Sequence, residues 1–278
     1  MSVVAETLAA LEHAFAGRAP PRVRALHLPA AAPDAGKDAE FGALELDDGS
    51  LGLCYLLLDG TLDALAADDV ANRLTGTDAL ALARTWVVGT GPQRALGFAA
   101  VNALTRHLFD RAGFVPPAAA DSIGGLAPQP GEHVGMVGLF PPLVKQVTAC
   151  GARLTVVELR AELAGERAGF RVTLDPRELR ACDKVLTTST VLLNDTVDEI
   201  LSQCLRARAV VMIGPGAGCL PDALFARGVT TLGGSWIVDA GGVKRALATG
   251  ERWGAFARKF ALARDGYPGL DALLARSR

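Results

Sequence analysis

Ten residues, His133-Val134-Gly135-Met136-Val137-Gly138-Leu139-Phe140-Pro141-Pro142, constrain this chain more than any others, because Glu158 follows Gly138 by twenty positions at the end of Arg153-Leu154-Thr155-Val156-Val157-Glu158. A buried strand, a tight turn, a helix and a second strand ending in a carboxylate form a βαβ unit. Parallel neighbours need a crossover, so the unit commits this part of the chain to a Rossmann-like parallel sheet with helices on both faces. The turn itself departs from G-x-G-x-x-G. It holds only Gly135 and Gly138, followed by Phe140 and two prolines that lack backbone N–H groups. A dinucleotide pyrophosphate needs several such donors at the helix start, so this turn is a poor cradle for one.

Behind the first unit, strands and helices continue to alternate. Strands are expected at Arg171 to Leu174, Lys184 to Thr190, Ala209 to Ile213 and Val229 to Leu232. Helices are expected at Pro141 to Cys150, Pro176 to Cys182, Val197 to Ala207 and Pro221 to Arg227, with further helical stretches at Gly242 to Ala248 and Trp253 to Arg264. Runs such as Val210-Val211-Met212-Ile213 are apolar on both faces, as a covered parallel sheet requires. The front of the chain reads differently. A helix over 2–16 ends at Gly17 and Pro20-Pro21, and three strand-like runs follow at Val23 to Leu28, Glu40 to Leu46 and Ser50 to Leu58. Asp47-Asp48-Gly49 joins the last two as a hairpin turn, and helical segments come next at Leu62 to Leu74, Thr77 to Ala83 and Ala95 to Ala112. Residues 115–132 are rich in proline and glycine. The boundary is placed there, giving a smaller α+β domain over 1–120 and an α/β domain over 121–278.

Composition narrows the partners. The net charge is −2, and no Lys/Arg run interleaved with aromatics occurs, so nucleic acid is not expected. No apolar run approaches the roughly 18 residues that span a bilayer, and the N-terminal residues lack the basic-then-apolar layout of a secretory signal. Five single, scattered cysteines suit reduced thiols, so the expected location is cytoplasmic.

In an open parallel sheet the ligand-facing loops gather at the strand C-termini. The loop from Thr187 to Thr196 collects hydroxyls and an amide. Thr196 with Glu199 reads as a capping box, which leaves Thr187, Ser189, Thr190 and Asn194 as ligand candidates. Gly214-Pro215-Gly216 sits ahead of a helix and either offers backbone N–H groups to an anion or is simply a tight turn. Gly234 lies in the last such loop, and Glu158 occupies the position of a ribose-binding acid. There is no C-x-x-C, H-x-x-H or H-E-x-x-H, and His13, His27, His107 and His133 are far apart, so a metal site would have to be assembled from distant positions. Gly-x-Ser-x-Gly is absent, and no nucleophile is assigned.

Several segments resemble one family: Gly135 to Leu143, Thr155 to Glu158, Thr187 to Thr190 with Asn194-Asp195-Thr196, Ile213-Gly214-Pro215, Leu220 to Val229, and upstream Ala95 to Leu104. The family is a domain of unknown function named for putative heavy-metal chelation, in which a Rossmann-like domain follows one resembling the N-terminal domain of enolase. The resemblance implies a site in the cleft between the two domains, built from Phe140, Glu158, Ser189, Thr190, Asn194, Gly214 and Pro215, with Asn102 from the other side. The expected function is binding of a small metal complex or metal-chelating ligand there, with a transition-metal ion or complex as the bound group. Two alternatives stand beside it: an enzyme using S-adenosylmethionine or another adenosine ligand, with Glu158 on the ribose, and a non-catalytic assembly module that forms a homodimer through the front sheet.

Overall fold

The computed structural model describes residues 1–30, 40–58, 60–67 and 70–277. Helix α1 (Val3–Ala14) starts where Ser2 accepts a hydrogen bond from the Ala5 N–H, and it buries Val3, Val4, Thr7, Leu11 and Ala14 along one side. Strands β1 (Val23–His27), β2 (Phe41–Leu46) and β3 (Leu51–Tyr55) form an antiparallel sheet in that order. The Asp47-Asp48-Gly49 turn joins β2 to β3 as expected, with Gly49 at φ +90°. The helix expected over Leu62 to Leu74 crosses residues 68 and 69, which lie outside the described residues. Its described parts are the short helices α2 (Thr61–Ala66) and α3 (Val70–Leu74). Helices α4 (Ala79–Ala83), α5 (Thr85–Val88) and α6 (Gly91–Arg111) complete this unit.

All six residues of β2 are buried, because the small sheet is wedged between two helical layers. Leu44 and Leu46 face the main core with α6, whereas Phe41 and Ala43 join a second cluster with Val243, Ala246, Leu247 and Trp253. Strand period two sends alternate side chains to opposite faces. Helix α6 lies so close to β3 that a Cβ on Gly52 would fall 2.1 Å from the Ala99 carbonyl oxygen. Only glycine fits there.

The large unit runs β4 (His133–Val137), α7 (Pro141–Ala149), β5 (Arg153–Val157), β6 (Gly165–Arg167), β7 (Phe170–Thr173), β8 (Lys184–Thr188), α8 (Val197–Gln203), β9 (Ala209–Ile213), α9 (Asp222–Phe225), β10 (Thr231–Ile237), α10 (Ala240–Thr249), β11 (Ala257–Ala263) and α11 (Leu270–Arg276). Its eight strands lie in the order β11-β10-β9-β8-β4-β5-β7-β6. Six of them, β10 through β7, are parallel to their neighbours, and antiparallel β11 and β6 close the two edges. The α/β class with a mainly parallel sheet is as expected. Among the described residues no helix is long and apolar enough to cross a membrane.

Several local expectations are corrected. Trp253 to Arg264 is not helical: a single 3₁₀ turn at Trp253–Phe256 leads into strand β11. The helix-favouring Ala, Arg, Lys and Leu residues there yield to pairing with β10 over its whole length, from Thr231↔Ala263 to Ile237↔Ala257. The same pairing extends β10 through Gly233, Gly234 and Ser235, which the sequence assigned to a loop. Pro176–Ala181 is 3₁₀ rather than α-helical. Strand β8 stops at Thr188, after which Ser189–Leu192 form a 3₁₀ turn.

Candidate functional site

The order of the parallel strands reverses between β4 and β8. Successive strands run from β4 to β5 and β7 on one side, and from β8 to β9 and β10 on the other. Loops diverging from such a switch point leave a crevice at the strand C-termini. Here the crevice is a cavity of ≈ 470 Å³. The ends of β8 and β9, the middle of β10, the start of α7 and β11 line it on one side, and Phe41 and Tyr55 of the small sheet line it on the other.

Local bonding sets the polar wall. The Thr188 hydroxyl accepts from the Thr190 N–H at 3.2 Å and donates to the Thr190 hydroxyl at 3.0 Å, which starts the 3₁₀ turn and points Ser189 toward β9. Ser189 and Gly214 then meet at the closest approach in the site. A Cβ on residue 214 would fall 2.0 Å from the Ser189 hydroxyl oxygen, so glycine is required where these two strands deliver their loops. The hydroxyls of Ser189, Ser235 and Tyr55 make no hydrogen bond among the described residues. Burial and the neighbouring Glu40 carboxylate push the Tyr55 phenol up, so it remains a donor at neutral pH.

Of the candidate residues, Phe140, Ser189, Thr190, Gly214, Pro215 and Gly234 all line this cavity. The other five lie elsewhere. Glu158 closes the turn after β4, accepting from the Leu139 N–H at 2.8 Å and from its neighbour Leu159 at 3.1 Å, and it does not line the cavity. Thr187 is fully buried. Asn194 accepts from both the backbone N–H and the hydroxyl of Thr196, so Asn194 organises the entry to α8 in place of the expected capping box, and Thr196 makes no side-chain cap. Asn102 donates one amide N–H to Leu53 O and the other to Gly216 O, each at 2.8 Å, tying β3 to the loop after β9. It lines a separate chamber of ≈ 40 Å³ behind the cleft, where its side-chain oxygen is buried without a partner. That volume is large enough for a water.

The structure adds residues that sequence reasoning missed. Lys259 on β11 stands beside Ser235 in register and faces the cavity with no ion pair among the described residues. The helical reading of this segment hid it. Asp121 spends one carboxylate oxygen on the N–H groups of Ile123 and Gly125, both at 3.0 Å, and with Glu40 it supplies the cavity's carboxylates. An Asp before Gly124-Gly125 is a turn signal that could have marked it.

Soft-metal ligation by the protein's own side chains does not fit. Among the described residues no group of three or more His, Cys, Asp or Glu could hold a metal ion. Burial pushes the Cys182, Cys204 and Cys219 thiols up to about 12, and that of Cys54 up as well, so all four stay protonated. Metals bind the thiolate. The cavity instead presents hydroxyl and carboxylate oxygens with one ammonium, a donor set for a polar or hard-cation ligand.

Comparison with known proteins agrees with this architecture. A family model described as "Putative heavy-metal chelation" matches residues 123–264. A crystal structure of a protein with unknown function from the DUF364 family of Desulfitobacterium hafniense superposes with a TM-score of 0.68 at 20% identity, covering 94% of this chain and 99% of that one. Its counterpart from Pyrococcus horikoshii gives 0.65 at 18% identity, covering 94% and 98%. An uncharacterized protein of Methanocaldococcus jannaschii is 26% identical over 152 residues. The chain spans 56% of that relative's length, and the match takes in 53% of the chain.

Proposed function

This chain belongs to the DUF364 family, and from that membership we propose that the cleft between its two sheets binds a small organic chelator or its metal complex, with the chelating atoms supplied by the ligand. The observation that carries this reading is the composition of the ≈ 470 Å³ cavity at the switch point: the hydroxyls of Ser189, Ser235 and Tyr55 and the Lys259 ammonium, all without a side-chain partner among the described residues, converge there with the Asp121 carboxylate, and the described residues form no soft-ligand cluster. Such groups recognise the oxygen-rich periphery of a chelate. They orient it and neutralise its charge without competing for the metal. Phe140 and Phe41 give the ligand apolar walls. The adenosine alternative loses its anchor, because Glu158 is engaged with Leu139 and Leu159 away from the cavity.

The test is native mass spectrometry of freshly purified, untagged protein alongside elemental analysis. The reading expects a small organic mass and a metal that leave together on mild denaturation, and that are both reduced in Lys259→Gln. Metal retained after the organic mass has gone would overturn it, as would titrations in which bare transition metals bind as tightly as their chelates.

A further inference from the structure

Beyond the cleft, and independently of what the cleft binds, the geometry points to a second site: we propose that the chamber at the N-terminus of α6 binds a phosphate-type oxyanion, either free phosphate or the phosphoryl group of a small metabolite. The chamber has a volume of ≈ 260 Å³, and Tyr55 forms a wall common to it and the cleft. Helix α6 is 21 residues long and enters the chamber through Thr90 and Gly91, with no side-chain cap at Thr90. Pro92 has no N–H and the Gln93 N–H is spent on Thr90 O at 3.2 Å, so what this uncapped end offers the space is the Gly91 N–H and the positive end of the macrodipole.

Independent observations at the same place also call for an acceptor. Thr61, 1% exposed, lines the chamber, and its hydroxyl has no hydrogen-bond partner among the described residues. A hydroxyl with so little access to solvent gains from an acceptor in the space beside it. The Asn194 amide nitrogen is likewise unengaged, since only its oxygen is used, on Thr196. The Arg94 guanidinium, its side chain 15% exposed, is steadied by Nε donating to Gly89 O at 3.1 Å. Hydroxyl, amide, guanidinium and helix N–H groups are all donors.

Among the described residues that line this chamber Asp195 is the one acid, and it is ion-paired with Arg94. Its side chain is 69% exposed and its backbone sits at φ +62°, a conformation Asp and Asn tolerate. It therefore acts as a tethered anion at the chamber rim, holding the guanidinium until an incoming oxyanion takes its place. That role makes a prediction opposite in sign to a purely structural ion pair. Asp195→Asn, which keeps the backbone preference and removes the competing charge, tightens oxyanion binding.

The experiment is titration of the full chain with inorganic phosphate, followed by calorimetry and by amide chemical shifts of Thr90 and Gly91, with sodium chloride at matched ionic strength as control. Saturable binding is expected. Arg94→Gln should weaken it by about tenfold or more, the scale of one lost charge-assisted hydrogen bond, and Asp195→Asn should strengthen it several-fold. A parallel titration with glycerol phosphate separates the sources: tighter binding of the ester assigns the site to a phosphorylated metabolite, and tighter binding of the free ion to phosphate itself. Ser189→Ala, in the neighbouring cleft, should leave phosphate affinity unchanged. No saturation in either wild type or Asp195→Asn overturns the proposal, and so does an Asp195→Asn variant that loses thermal stability with no gain in affinity.

Discussion

Gly214 and Ser189 show how much of this site depends on one missing methyl group. The Ser189 hydroxyl fills the space a Cβ at 214 would need, so Gly214→Ala must push one of the two loops away from the cleft. Overpacking of this kind costs about 1–3 kcal/mol. We expect urea unfolding to show that loss, and the double variant Gly214→Ala with Ser189→Gly to recover only the part due to the clash, because the backbone at 214 sits at φ +159°, where alanine stays strained. Asn102 is a different case. Its two amide protons satisfy carbonyls of Leu53 and Gly216 inside the protein, so Asn102→Ala should destabilise by about 2–4 kcal/mol. Loosening of the loop after β9 should accompany it, visible as shifted amide resonances at 214–218. The sequence shows a polar residue in an apolar stretch of helix at Asn102, but not which carbonyls lie 49 and 114 residues away to receive it. Gly214 was legible as a special position. Its reason, a side chain 25 residues earlier in the chain, was not.

At the scale of elements, the parallel core was readable because each of its strands is short, apolar and followed by a turn signal. Strand β11 was not readable. Its Ala-Arg-Lys-Phe-Ala-Leu-Ala stretch satisfies a helical pattern about as well as an extended one, and only Phe260 and Leu262, buried at a spacing of two, betray the strand. That misreading also concealed Lys259, the cation of the proposed cleft. The two antiparallel edges are protected to different degrees. Along β11, Ala261 N–H donates to Pro117 O and Ala119 N–H donates to Lys259 O, so the linker covers the edge. Strand β6 is three residues long and wholly exposed. Native-state hydrogen exchange should therefore find the Ala261 amide opening only with a large part of the sheet, while β6 amides exchange through local opening. Equal protection of the two edges would mean that the linker does not hold β11 as described.

For the molecule as a whole, the small sheet stays in place between α6 and α10 through apolar packing and one buried acid. Glu45 on β2, 4% exposed, accepts from Lys244 of α10 at 2.9 Å and pairs with His27 of β1 at 2.8 Å, with Arg24 at 3.4 Å. Burial alone would raise its pKa, but the hydrogen bonds and charges of Lys244 and His27 outweigh burial and hold the carboxyl below its ordinary value of 4.5. A carboxylate held lower in the folded than in the unfolded chain contributes stability that is present above about pH 4.5 and lost as pH falls below it. Asp48, which His107 and the Ser50 N–H together hold at about 2 against the opposing effect of burial, acts in the same direction from 3.8 downward. Two variants separate these contributions. Glu45→Gln should lower stability at neutral pH by about 1–3 kcal/mol, since it leaves Lys244 facing an uncharged partner in a mostly buried place. It should also flatten the decline in urea midpoint between about pH 5 and pH 3, because one titrating group has been removed. Lys244→Met should destabilise at neutral pH as well, and in a double-mutant cycle with Glu45→Gln the two losses should fall short of additivity by the energy of the pair. Additive losses, or an acid profile unchanged in Glu45→Gln, would mean that apolar packing alone seats the small sheet against α10. The cleft that depends on that seating would then hold its shape at low pH.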